Sequence, residues 1–357
     1  MAPQRDPLDN TETSQTGPRS QNDPVVSIII PLHRWNEHSA CSVSRCIELR
    51  QHASVEVIVI SDQPIEKAPL GAKWLVTGAT GDTSPALKRD LGASVARGTF
   101  LAYIDDDAYP DTHWIDRALA AIESLEVDGV GGPGVTPNGS NWRERLGGAV
   151  YCSILGSGPF RSRFTPLGAP RMMNELPAYN FIVKRDCIEK IGGWNSSFYG
   201  GEDTAVCTQL RLHGYKLGYS PATIVYHFRR EMFRPHLRQV GNVGRHRGYF
   251  VRKRDPSSLR ATFFVPSIIA LCLPIAGVLT VIEGVAHPFV TLLVVGCIWI
   301  VVALTSVREA GFTGLALPIA LAAHHLWYGV NFIRGLFTKS LDANRDIVAL
   351  KTPLRSD

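Results

Sequence analysis

Hydrophobic and polar positions change rhythm along the chain, and the first stretch reads as alternating strands and helices. Val25-Val26-Ser27-Ile28-Ile29-Ile30-Pro31 is a β-branched run closed by proline, the pattern of a buried parallel strand. Glu37 to about Gln51 has the composition of a helix. Val55-Glu56-Val57-Ile58-Val59-Ile60 predicts a second strand stopping at Ser61-Asp62. Pro85 to Ala96 reads as a helix, and Phe100-Leu101-Ala102-Tyr103-Ile104 as a strand running into Asp105-Asp106-Asp107. Thr112 to Leu125 again has helical spacing. Gly, Pro and Asn then dominate from Gly129 to Pro177, where the expectation is irregular chain that shapes a substrate cleft. Order resumes at Asn180-Phe181-Ile182-Val183, with a short helix from Arg185, a turn at Gly192-Gly193-Trp194 and a helix from Glu202 to His213, opening after Gly200-Gly201. The alternation predicts an α/β fold, an open sheet with helices on both faces. Ligands of such sheets gather beyond the carboxyl ends of the strands, where Asp62 and Asp105–Asp107 lie.

The last third changes character. From Ala261 to Val307 the only charged side chain is Glu283, and after Arg308 and Glu309 none follows until Arg334. Three segments reach the roughly 20 apolar residues a bilayer crossing needs: Thr262–Ile282, His287–Ser306 and Phe312–Phe332. His324-His325 make the third either protein-facing or re-entrant. Charge sharpens the picture. The chain is net +5, yet Arg229 to Arg260 alone carries +8, which leaves the remainder net −3. A basic block that ends where the apolar segments begin suits anionic lipid and places that side in the cytoplasm. No nucleic-acid motif accompanies it, so the partners read as a bilayer and a small-molecule substrate. Seven scattered cysteines without a CxxC pair read as reduced thiols. The expected order is a flexible polar tail (1–24), the α/β domain (25–235), a basic juxtamembrane segment (236–261), about three transmembrane or re-entrant helices (262–337) and a tail (338–357).

Three consecutive aspartates at a strand end repel one another, so a positive charge is needed among them. A hard divalent cation meets that need and can bridge nucleotide phosphates. In extended backbone Asp105 and Asp107 point the same way and Asp106 elsewhere. A solvated acidic turn or a helix cap would also account for the triplet.

The wider run Phe100-Leu101-Ala102-Tyr103-Ile104-Asp105-Asp106-Asp107-Ala108-Tyr109-Pro110 resembles the DxD segment of family 2 glycosyltransferases with the GT-A fold. So do the opening Val26-Ser27-Ile28-Ile29-Ile30-Pro31 and the strand end Val57-Ile58-Val59-Ile60-Ser61-Asp62. Pro85-Ala86-Leu87-Lys88-Arg89-Asp90-Leu91-Gly92 resembles the family's ARNxG segment, with Asp90 in place of asparagine. Gly192-Gly193-Trp194-Asn195 and Gly201-Glu202-Asp203 resemble the turn and the acidic ED pair on the acceptor side. The resemblance covers about residues 25–230. It implies a mostly parallel GT-A sheet, a divalent cation (Mn2+ or Mg2+) and a nucleotide-sugar donor of the UDP-sugar class. It further implies that Asp62 meets the nucleobase and that Pro31, Arg89 and Asp106 lie beside the nucleotide. Asp105 would contact ribose or metal, Asp107 would ligate the metal, and Asp203 would be the general base, with Glu202 next to it. In some relatives a histidine at the position of His227 completes the metal site.

The Q-x-x-R-W motif of processive polysaccharide synthases is absent, because Gln239 is followed by Val240-Gly241-Asn242-Val243. The stretch Arg238–Arg247 resembles instead the membrane-proximal part of enzymes that build exopolysaccharide units on lipid carriers. The resulting expectation is a membrane-bound, metal-dependent, inverting glycosyltransferase with a lipid-linked acceptor, working at the cytoplasmic face of the cell membrane in cell-envelope glycan or glycolipid synthesis. Two rivals stand beside it: a polyprenyl-phosphate sugar synthase, and a non-catalytic membrane scaffold or export component that keeps the nucleotide-sugar fold.

Overall fold

The computed structural model describes residues 23–79, 81–195, 201–254, 258–268 and 311–339, residue 341, and short pieces between 293 and 302. The expected tails and the first two apolar segments lie largely outside the described residues, as does Gly200.

The main sheet is built from eight strands. β1 (Val26–Pro31), β2 (Val55–Ser61), β3 (Lys73–Val76) and β4 (Phe100–Tyr103) form its parallel half. β6 (Gly129–Gly131), β8 (Arg171–Met172), β9 (Phe181–Lys184) and β10 (Leu217–Tyr219) complete it in the order β3-β2-β1-β4-β9-β6-β10-β8. β9 runs antiparallel to both β4 and β6, so the sheet is mixed. Helices cover both faces, as the alternation predicts. α1 (Glu37–Glu48) and α3 (Trp114–Leu125) pack on Val26, Ile28 and Ile30. α2 (Pro85–Ser94), α6 (Arg185–Lys190) and α7 (Glu202–Leu212) pack on the opposite face, around Ile29, Ile58 and Ile60. Successive residues of β1 thus bury themselves in two different cores, which is why its sequence is apolar without alternation.

Local chemistry sets where these helices begin. Asn36 accepts hydrogen bonds from the His38 and Ser39 amides at the start of α1. Ser84 caps α2, with Pro85 in its first turn. The Gly129–Pro177 region is more ordered than expected. It contains β6, β7 (Gly134–Val135), α4 (Trp142–Cys152), α5 (Ile154–Ser157) and β8. A capping box formed by Asn141 and Glu144 starts α4. Glycine and proline content hid that signal.

A second sheet of three short strands, β5 (Ala108–Pro110), β11 (Val225–His227) and β7, stands beyond the carboxyl ends of the main one. Asn180 ties it down. Its fully buried amide accepts from Trp114 Nε1 (2.9 Å) and donates to the carbonyls of Thr223 (2.8 Å) and Pro133 (3.2 Å).

The basic segment becomes one helix, α8 (Arg234–Arg252), and the third apolar segment becomes a 3-10 turn followed by α9 (Leu317–Phe337). The two helices pack at unusually close range. A Cβ on Gly244 would lie 2.6 Å from the Tyr328 carbonyl, and one on Gly248 would overlap the Phe332 backbone. Among the described residues no helix is long and apolar enough to cross a membrane. The expected transmembrane helices are therefore unsupported among the described residues, and of the readings open for the third segment the protein-facing one fits: His324, His325, Asn331 and Arg334 interrupt the apolar character of α9, and its inner face is spent on α8.

Asn180→Ala removes three buried hydrogen bonds at once. Each buried polar group left unpaired costs about 1–3 kcal/mol, so unfolding in urea should show a loss of at least about 3 kcal/mol. Asn180→Asp keeps the acceptor for Trp114 but sets a buried carboxylate oxygen against the Thr223 and Pro133 carbonyls, so it should lose at least as much. A change below about 1 kcal/mol in Asn180→Ala would mean the small sheet is held by something else.

Candidate active site

The carboxyl ends of β1, β2 and β4 carry Pro31, Asp62 and the aspartate triplet to one edge of the sheet. Pro31 closes β1 and is buried. Asp62 is engaged by its own domain. Lys88 Nζ lies 2.6 Å from its Oδ2 and also donates to the Leu32 carbonyl (2.7 Å), while Thr77 Oγ1 and the Thr83 amide donate to the carboxylate. Burial by itself would raise the Asp62 pKa, but Lys88, Thr83 and Thr77 outweigh it and hold the carboxyl below its ordinary value. Lys88, 2% exposed, is a residue that sequence reasoning passed over in favour of its neighbour. The signal was its place in the Leu87-Lys88-Arg89 run, one helical step from the expected site residue.

Arg89 is equally buried. Its guanidinium reaches Asp105 Oδ1 (2.7 Å) and Glu202 Oε1 (3.4 Å), and stacks over Trp194 at 4.5 Å. One side chain from α2 therefore joins the triplet after β4 to the start of α7. Asp90 explains the departure from asparagine at its position. Its two carboxylate oxygens accept from the amides of Trp194 (2.7 Å) and Asn195 (3.1 Å), pinning the turn that presents Trp194 to Arg89. Gly193 in that turn has φ +86°, and a Cβ there would lie 2.6 Å from Asp90 Oδ1.

Asp105, Asp107 and His227 each offer an atom within 4.8 Å of the others. The register of β5 against β11 causes this: His227 lies opposite Ala108, the residue after Asp107, and the Phe228 amide donates to the Asp107 carbonyl (2.9 Å). His227 Nε2 stands 3.3 Å from Asp107 Oδ1. Burial, helped by Arg229, lowers the His227 pKa to about 3, so the imidazole is neutral at physiological pH and free to act as a ligand. Burial raises the Asp107 pKa against the pull of Arg230 and Arg229. Asp106 points away, accepting from the His33 amide (2.7 Å), and burial followed by the nearby Asp107 pushes it up to about 7. Two carboxylates and a neutral imidazole, held together against their own charge, are a donor set that fits a hard divalent cation.

Asp203 is the second residue of α7, and Gly201 occupies the N-cap with φ +91°. Its Oδ1 accepts from the Thr204 amide (2.8 Å). The neighbouring Glu202 has its pKa raised by burial, with Arg89 opposing. Asp203 lines a cavity of about 630 Å³ between α7 and α8, whose wall also includes Arg230, the residue acting on Asp107.

Replacing Arg89 by methionine would leave the Asp105 and Glu202 carboxylates facing each other without their shared cation. Breaking a buried pair from one side costs about 3–5 kcal/mol, and chemical denaturation of Arg89→Met should show a loss of that order. Glu202→Gln should lose less, because Arg89 keeps Asp105.

The fold is shared with a solved structure, the mannosyltransferase PcManGT from Pyrobaculum calidifontis in complex with GDP-Man and Mn2+. The TM-score is 0.51 at 17% identity, over 87% of this chain and 89% of that one. Among curated proteins, a pre-mycofactocin glycosyltransferase of Mycobacterium tuberculosis is 24% identical over 235 residues, which is 64% of this chain and 47% of the relative. Glycosyltransferase AglE of Haloferax volcanii is 24% identical over 215 residues, 57% of this chain and 67% of the relative. The chain thus spans about half the length of the mycobacterial relative. The profile of glycosyl transferase family group 2 matches residues 100–328, a span that takes in the aspartate triplet, α7, His227, α8 and most of α9. On that match over more than half its length, the chain has a GT-A-like α/β fold and belongs to glycosyl transferase family group 2.

Proposed function

We propose that this chain is a metal-dependent, inverting glycosyltransferase that moves a hexosyl group from a nucleotide-sugar, of the uridine diphosphate class, to a lipid-linked acceptor at the cytoplasmic face of a membrane. The observation that carries the proposal is the Arg89 bridge. It ties Asp105 of the Asp105–Asp107–His227 cluster to Glu202, the neighbour of Asp203, through one guanidinium, which supports reading the two groups as parts of one site. Asp105, Asp107 and His227 would hold Mn2+ or Mg2+, which when bound supplies positive charge for the departing diphosphate. The chain's own residues do the rest. Pro31 and the Asp62–Lys88 pair floor the nucleotide side, and Asp203 receives the proton of the acceptor hydroxyl. That oxygen bonds to the anomeric carbon from the face opposite the nucleotide, whose bond to the sugar breaks with both electrons leaving on the diphosphate.

Attachment to the membrane is assigned to the outer face of the C-terminal pair. Leu315, Ile319, Trp327, Val330 and Phe337 of the turn and α9 are exposed, next to the arginines of α8. A tryptophan and apolar residues beside basic ones suit a lipid interface.

Purified chain incubated with radiolabelled nucleotide sugars and lipid extracts should yield a labelled oligosaccharide-lipid. Excess EDTA should abolish the label, as should Asp107→Asn, while the fold is retained; Asp106→Asn should be milder. Full transfer in EDTA would overturn the metal assignment.

Asp203→Asn separates a base from a structural residue. Asparagine still accepts from the Thr204 amide, so thermal stability should hold. It cannot take a proton, so turnover should fall about 10²–10⁴-fold with nucleotide binding kept. Near-normal turnover would favour transfer to a phosphate acceptor, which needs no strong base.

A further inference from the structure

The cavity beside Asp203 shares part of its wall with a neighbouring one. Arg163, Val243 and Arg247 line both it and a second cavity of about 350 Å³, which runs among α4, α5, α8 and α9. The two differ in chemistry. Four arginines (163, 230, 238 and 247) face the first, and among its lining residues Asp203 is the only carboxylate. No carboxylate pairs with Arg230 or Arg238 among the described residues. The second is walled by Tyr151, Leu155, Phe160, Phe263, Val265 and Tyr328, and no acid lines it.

The boundary between them is built. Phe160 and Phe263 stack at 5.6 Å with their planes 7° apart, Arg163 lies over Phe160 (5.3 Å) and Arg247 over Phe263 (4.6 Å). Arg163 is partly answered by Glu175 at 3.0 Å, and Arg247 donates to Thr204 Oγ1 (3.3 Å), beside the proposed base. Guanidiniums braced on aromatic faces keep their donors aimed and lose little freedom when an anion arrives. A ligand that fills both chambers needs an anionic head of tetrahedral oxygens and an apolar chain.

We propose that these adjoining chambers together form the acceptor site, with a lipid phosphate or pyrophosphate held by Arg163 and Arg247 at their shared wall. Its hydrocarbon chain lies in the aromatic chamber, and the group to be glycosylated lies beside Asp203. This rests on the transferase reading above and gives its acceptor a place and a chemical class. It assigns Arg163, Arg238 and Arg247 to acceptor recognition, while Arg230, which also acts on Asp107, lies between acceptor and metal cluster.

Binding to the purified full chain is measured with three probes: farnesyl phosphate, farnesol and inorganic phosphate. Farnesyl phosphate should bind at least about tenfold more tightly than either of the others, since losing a charge-assisted contact or a buried chain is worth at least about 1.4 kcal/mol. Arg247→Gln and Arg238→Gln should weaken farnesyl phosphate while leaving farnesol unchanged. Leu155→Asp, at a half-exposed position that tolerates a charge, should weaken both. Nucleotide binding in the presence of Mn2+ should be the same in all three variants. Farnesyl phosphate that binds no better than inorganic phosphate, or that binds Leu155→Asp as tightly as the wild type, overturns the tail site. Failure of the wild type to bind any nucleotide would count against the transferase reading alone, because the lipid arm is read without donor.

Discussion

A buried guanidinium is the constraint on which the site depends. Arg89 cannot shed its charge, and it sits almost wholly out of water, so it persists only if carboxylates meet it. Asp105 and Glu202 do so from two separate segments, and Trp194 closes one face. The same bond answers part of the repulsion within the aspartate triplet. It also brings the start of α7, with Asp203, across from the cluster. Asp90, one residue on, secures the turn that carries Trp194, so two neighbouring side chains of α2 organise both walls of the cleft.

The small sheet supplies the other half. Its three strands are too short to be stable alone, and they hold their place through Asn180 and the backbone around it. In return, antiparallel register puts His227 against Asp107 with the accuracy of a hydrogen-bond ladder. Arg229 and Arg230 follow directly on the same strand end and act on Asp107, which keeps a raised carboxyl from being still further raised. Imidazole and guanidiniums thus come from one three-residue strand and the three residues after it, and the acid from the residue before β5.

The C-terminal helices extend the cleft. Gly244 and Gly248 let α8 approach the backbone of α9, so the arginine-bearing helix has a firm support and can turn its basic side to the cavity beside Asp203. His236 and His324 meet at 3.0 Å across this contact and both rings lie against Tyr151, one tilted and one edge-on, linking the pair to α4. Catalytic domain and C-terminal helices thus share one cavity system.

The parallel strands, the helices on both faces and the aspartates at the strand ends were legible in the sequence, because each is a local pattern: β-branched runs, helical spacing between them, and charge at a strand terminus. The roles given to Asp62, Arg89 and Asp203 came by likeness to the family's motifs and not from any local pattern. Where composition masked a local signal, reading failed, as at Asn141 and Glu144 inside a glycine-rich region. The apolar average of the third segment left spanning and re-entrant readings open, and the packing of α9 on α8 is what fixed its inner face. Only the tertiary structure decided which groups meet. His227 reaches Asp107 across 120 residues of chain through strand register, Lys88 claims Asp62 through burial, and Arg163 joins Arg247 through a stacked phenylalanine pair. Contacts of that kind depend on packing between distant segments, and no periodicity in a single segment encodes them.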